Sequence, residues 1–66
     1  METKFKAGDV IVRRAYKKMK SPFLRDEMRV MDVVSDGHQM WYVCEHCSGR
    51  IDFGIVSVVD EAFVLI

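Results

Sequence analysis

Met28-Arg29-Val30-Met31-Asp32-Val33-Val34-Ser35-Asp36-Gly37-His38-Gln39-Met40-Trp41-Tyr42-Val43-Cys44-Glu45 decides the fold class. Asp36-Gly37 stands between two apolar runs. Glycine accepts positive φ without steric cost, so this pair predicts a tight hairpin. β-branched residues dominate Met28–Ser35, which predicts a strand. Met28, Val30 and Val34 fall at period two on one face, interrupted by Asp32, with Arg29, Met31 and Val33 on the other. The return strand places Met40, Tyr42 and Cys44 on one side and Trp41, Val43 and Glu45 on the other. Trp41 and Tyr42 therefore face opposite ways, one toward the core and one outward as a candidate binding platform, the alternative being that both pack under loops.

Working outward, the same reading gives further strands. Ala7-Gly8-Asp9 opens a strand over Val10, Ile11 and Val12 that continues toward Tyr16. Ser48-Gly49 marks a second turn. Ile51, Phe53 and Ile55 then alternate with Asp52 and Gly54, the pattern of a half-buried strand. Val58-Val59-Asp60-Glu61 reads as a short turn or one turn of 3₁₀ helix, and Phe63–Ile66 as a buried closing strand. No helix of useful length is expected, since the basic stretch Arg13–Lys20 lacks an apolar stripe at helical spacing. With 66 residues and 7.7 kDa there is room for one core and one domain, residues 1–66. Half the residues are hydrophobic and 30% are charged, a globular composition. The expected class is all-β: five short strands that can remove their edges by curling into a small barrel.

Phe5-Lys6-Ala7-Gly8-Asp9-Val10-Ile11-Val12 resembles the opening strand of SH3-like barrels of the KOW and Tudor type. The Asp-Gly hairpin and the closing Val59-Asp60-Glu61-Ala62-Phe63-Val64-Leu65-Ile66 resemble the end of short phage and bacterial proteins of that class. The resemblance implies a five-stranded SH3-like barrel that binds rather than catalyses. The first loop, residues 15–27, is longer and more basic than a KOW loop, and the glycine expected after the first strand is absent.

The formal net charge is zero, which disfavours a globally basic nucleic-acid binder and an acidic DNA mimic. The zero is a cancellation. Residues 1–30 carry nine bases against four acids, a net +5, and residues 31–66 carry one base against six acids, a net −5. Arg13, Arg14, Lys17, Lys18 and Lys20 crowd into eight residues, with Arg25 and Arg29 downstream. Such a cluster suits phosphate groups, with Tyr16 and Phe23 available to stack on bases. It equally suits an acidic protein surface, with Tyr16, Met19 and Phe23 as apolar anchors, methionine being adaptable at interfaces. The bland alternative is a solvated loop that keeps an edge strand soluble.

Cys44-Glu45-His46-Cys47, with His38 upstream, has the residue types for one tetrahedral zinc ion. The spacing is unfavourable: three candidates crowd into four residues, and in a strand Cys44 and Cys47 point to opposite faces. A buried or half-buried thiol pair is the expectation, with a structural zinc module as an alternative and no other cofactor. A thioredoxin-like role would need a helix directly after Cys47, and none is expected. The serines have no Gly-x-Ser-x-Gly setting, the four glycines are single, and so small a domain offers little volume for a small-molecule substrate. An enzyme is not expected. No export signal is visible, and no apolar run longer than Ala62–Ile66 is present, so the expectation is no membrane association and a cytoplasmic setting, that of the bacterial host if the protein is phage-encoded. The expected function is that of a phage-type accessory protein that binds a host or viral protein through its basic first loop, inhibition being one consequence. Nucleic-acid binding by the same loop is the alternative.

Overall fold

The Asp36-Gly37 turn forms as its chemistry dictates. In a computed structural model, which describes residues 3–66 (Met1 and Glu2 lie outside the described residues), one Asp36 carboxylate oxygen accepts the backbone N–H groups of His38 and Gln39, each at 2.8 Å. Gly37 supplies the positive φ of 92°. Around this hairpin the chain forms β1 (Val10–Arg13), β2 (Met28–Ser35), β3 (Met40–His46), β4 (Ile51–Ile55), α1 (Val56–Ala62) and β5 (Phe63–Leu65). The five strands make one antiparallel sheet in the order β4-β3-β2-β1-β5. The sheet is open: β4 and β5 are its edges, and α1 connects them. All-β is thus the right class, with one short helix.

Several details depart from the sequence expectation, each for a physical reason. The register of β2 against β3 shifts between Val30, opposite Cys44, and Asp32, opposite Val43, so Met31 is the extra residue of a β-bulge. A one-residue insertion flips every later side chain to the other face. Met28 and Val30 therefore face the core, but beyond the bulge Val33 packs inward and Val34 is exposed. In β4 the apolar set faces away from the core. Asp52 and Gly54 lie opposite the buried Cys44 and Tyr42, so Ile51, Phe53 and Ile55 occupy the outer face, with Phe53 64% exposed. Gly54 is required on the inner side because a Cβ there would stand 2.5 Å from Cγ2 of Val59 on α1.

The segment expected to be a short turn is a seven-residue helix. Val56, Val59 and Ala62 recur every third residue and pack on the core, a stripe disguised by β-branched valines of modest helix propensity. β1 ends at Arg13 instead of running on toward Tyr16, and Arg14–Tyr16 forms an exposed 3₁₀ turn that takes the chain off the sheet. At the C-terminus only Phe63 is buried. Leu65 and Ile66 are more than half exposed, because β5 is an edge strand paired on one side, to β1.

Phe5, Ile11, Met28, Val30, Tyr42, Cys44, Val56, Val59 and Phe63 form the core. Tyr42 is the largest of the fully buried side chains. Its hydroxyl accepts the Phe5 N–H at 3.0 Å and donates to the Asp60 carboxylate, so it ties the N-terminal segment and α1 to the sheet. Burial, with this donation to Asp60, pushes the Tyr42 pKa above its ordinary value.

Two outcomes are expected. Gly54→Ala should lose roughly 1–3 kcal/mol in urea unfolding by overpacking against Val59, and Gly54→Ala with Val59→Ala should lose less than the sum of the two single changes. Tyr42 in the folded chain keeps its proton at pH values where the unfolded chain releases it, so its contribution is fully present below about pH 10 and is lost as pH rises further. Denaturant melts at increasing pH should show this alkaline loss, and Tyr42→Phe should flatten it while costing about 1–3 kcal/mol at neutral pH by leaving the Phe5 N–H and Asp60 without their partner.

Candidate functional site: a pinned basic loop

Between β1 and β2 the chain runs through the basic segment and returns through Ser21-Pro22-Phe23-Leu24-Arg25-Asp26-Glu27. Pro22, with its φ fixed near the helical value, opens a single helical turn after Ser21. The Arg25 N–H bonds the Ser21 carbonyl at 3.1 Å, the Asp26 N–H bonds Phe23 at 3.3 Å, and the Glu27 N–H bonds Pro22 at 3.1 Å. Asp26 has a positive φ of 54°. A left-handed residue closing a turn with these two last bonds is a Schellman motif. Glycine is usual at that position, and aspartate tolerates it better than most residues.

Asp26 occupies the position because its carboxylate is used twice. One oxygen accepts Nε–H of Arg13 at 3.1 Å, and the other lies 3.2 Å from Nε2 of His46. His46 is 6% exposed. The Ser48 backbone N–H donates to its Nδ1 at 3.1 Å, so that nitrogen carries the lone pair and Nε2–H is the donor to Asp26. Backbone bonds reinforce the joint: Arg13 N–H to the Arg25 carbonyl at 2.8 Å, and Cys47 N–H to the Glu27 carbonyl at 3.0 Å. The ring of Phe23 leans on His46 with centroids 6.4 Å apart.

Of the ten binding residues expected from sequence, seven present exposed side chains on this loop: Arg14, Tyr16, Lys17, Lys18, Met19, Lys20 and Phe23. Leu24, 60% exposed, joins them and was missed, because one leucine in a polar stretch carries no periodic signal. Among the described residues Arg14, Lys17, Lys18 and Lys20 have no carboxylate within ion-pair distance. The other three cations are engaged. Arg13 holds Asp26 and lies over the Phe63 ring at 4.8 Å. Arg25 turns back into the loop, donating to the carbonyls of Met19 and Lys20 and to Glu27. Arg29 lies on the outer face of β2, paired with Glu45 at 2.8 Å. The site is therefore a shaped surface with four positive charges unpaired among the described residues and the apolar tips of Tyr16, Met19, Phe23 and Leu24.

The Cys/His set does not converge. Cys44 is in the core, Cys47 is exposed at the β3–β4 turn, His38 is in the opposite hairpin, and His46 belongs to the loop joint. Among the described residues no group of three or more His, Cys, Asp or Glu is placed to hold a metal ion. Burial, with the nearby Asp52 charge, pushes the Cys44 thiol pKa upward. An open cleft between β4 and α1 has Cys44 and Phe63 in its wall, but the charges at its rim are already paired, Arg13 with Asp26 and Arg50 with Asp52. No helix among the described residues is long and apolar enough to cross a membrane. Comparison with protein-family models, with curated proteins and with solved structures finds no match to this chain.

A thiol-specific disulfide reagent should modify Cys47 at neutral pH while Cys44 stays unreactive until denaturant is added; two equally fast thiols would place Cys44 outside the core. Asp26→Ala should cost about 1–3 kcal/mol and open the loop to trypsin at Lys17, Lys18 and Lys20, read as faster cleavage of the otherwise folded chain.

Proposed function

We propose that this chain is a non-catalytic binding module that docks its first loop onto an acidic protein surface. The observation that carries the reading is the combination, on one pinned loop, of Arg14, Lys17, Lys18 and Lys20, unpaired among the described residues, with exposed Tyr16, Met19, Phe23 and Leu24. The cations would steer encounter, and the apolar tips would supply the desolvated centre of the contact. A loop already held in shape loses little conformational freedom on binding. The strand order β4-β3-β2-β1-β5, with a short helix before the last strand, supports reading the sheet as an SH3-like barrel, in which this loop is the long connection between the first two strands. The setting we infer is the bacterial cytoplasm, as an accessory protein of phage type whose binding would occupy, and so inhibit or redirect, its target.

Nucleic-acid binding is the second reading, favoured by Tyr16 standing exposed between Arg14 and Lys17, where it could stack on a base. The two readings separate in a tagged pull-down from bacterial lysate with and without nuclease. A discrete protein that survives nuclease supports the protein interface, whereas capture that vanishes with nuclease supports the second reading. With the captured protein in hand, Lys17→Glu/Lys18→Glu/Lys20→Glu should abolish binding. Phe23→Ala and Leu24→Ala should each weaken it roughly tenfold, about 1.4 kcal/mol. Full binding by both alanine variants would remove the apolar anchors from the account.

A further inference from the structure

The outer face of the sheet is the second unusual surface. Val34 lies opposite Trp41, Trp41 opposite Ile55, and Val43 opposite Phe53, so three adjacent strands present a continuous apolar patch. Val34 and Phe53 are exposed. The Trp41 indole N–H donates to Asp36 at 2.9 Å, which fixes the ring at the edge of the patch. The charges on this face are unequal. Arg29 is neutralised by Glu45, while Asp32 and Asp36 have no cationic partner among the described residues. The Asp36 carboxyl is held below its usual range by the N–H groups of Gln39 and His38 and by the indole, so it stays ionised.

This acidic, aromatic face is the chemical complement of the basic, apolar-tipped loop of the same chain. Within one molecule the loop's joint at Asp26 and His46 sits at the opposite end of β2 from Asp36. The loop enters β2 at Met28, while Val34, Trp41 and Asp36 lie at its other end, roughly 20 Å away at about 3.3 Å per residue. The loop is also bonded to His46, on the inner side of the sheet. The Asp36–Trp41 end of the face is thereby left to a partner outside the molecule.

We propose that the chain self-associates head to tail: the first loop of one copy docks on the Trp41–Phe53 face of the next, with Lys17, Lys18 and Lys20 toward Asp32 and Asp36. The proposal rests on the reading of the loop as the docking element and names a second copy of this chain as one of its acidic targets. Such a contact uses two different patches, so it leaves one of each unfilled and extends into longer assemblies unless it closes.

The test is sedimentation of three chains: wild type, a loop variant (Lys17→Glu/Lys18→Glu/Lys20→Glu) and a face variant (Asp32→Lys/Phe53→Lys). Phe53 and Asp32 are exposed, so the face variant should fold, as checked by circular dichroism; Asp32→Lys alone serves if it does not. Wild type should grow in mass with concentration and shrink with added salt. Each variant alone should sediment as a monomer. An equimolar mixture should restore a species of twice the monomer mass and no larger, since it retains one intact loop and one intact face. Wild type that stays monomeric at high protein concentration overturns the proposal and leaves the face to another partner. Wild type that associates while the mixture stays monomeric also overturns it, in favour of a symmetric contact. If wild type is monomeric yet the loop variant loses a lysate partner, self-association fails and the loop reading stands; if loop reversal changes neither, both fail.

Discussion

The carboxylate of Asp26 joins the basic loop to the sheet. It bridges Arg13 at the end of β1 and His46 at the end of β3, from a residue held at a φ that side chains rarely adopt. Such a conformation costs of order 1–3 kcal/mol and persists only where the surroundings over-determine it. Here the Schellman turn, the two carboxylate bonds and the backbone bonds of Arg13 and Cys47 to the loop together offset that cost. A fourteen-residue connection, which could have been a solvated tether, becomes a surface of defined shape whose inward-turned Arg25 leaves the lysines outside.

The sheet follows from its hairpin, and much of it was legible. Asp36-Gly37 and the β-branched runs on either side locate β2 and β3, and the alternation of Ile51, Phe53 and Ile55 locates β4. Direction was harder to read than existence. Period-two alternation says that two faces differ, and it does not say which is inside. The bulge at Met31 reverses the second half of β2, and the helix above Gly54 takes the inner side of β4, so Val34 and Phe53 face outward against their hydrophobicity. Both effects are tertiary: one is a pairing register, the other a close approach of backbone to Val59. The helix itself was hidden because seven residues give too few turns for a period to show.

The candidate site was legible in composition and illegible in roles. A run of bases marks a charged loop, but nothing in that run separates Arg13 and Arg25, which build the loop, from Lys17, Lys18 and Lys20, which it displays. The separation comes from carboxylates and carbonyls brought together by the turn. His46, which has the chemistry of a metal ligand, is buried against Asp26 and Ser48 and joins the loop to the sheet. The charge asymmetry of the sequence also finds its place: the loop's exposed bases lie at one end of β2, and Asp32 and Asp36 lie toward the other.

The pinned loop is tested most directly by ¹⁵N relaxation along the backbone, which separates rigid from mobile segments on the fast timescale. Order parameters for residues 21–27 in the range of the flanking strands, falling selectively in Asp26→Asn while β2 and β3 are unchanged, are what the Asp26 joint requires. Low order parameters across residues 14–27 in the wild-type chain would contradict it, and the loop would then be a flexible basic tether.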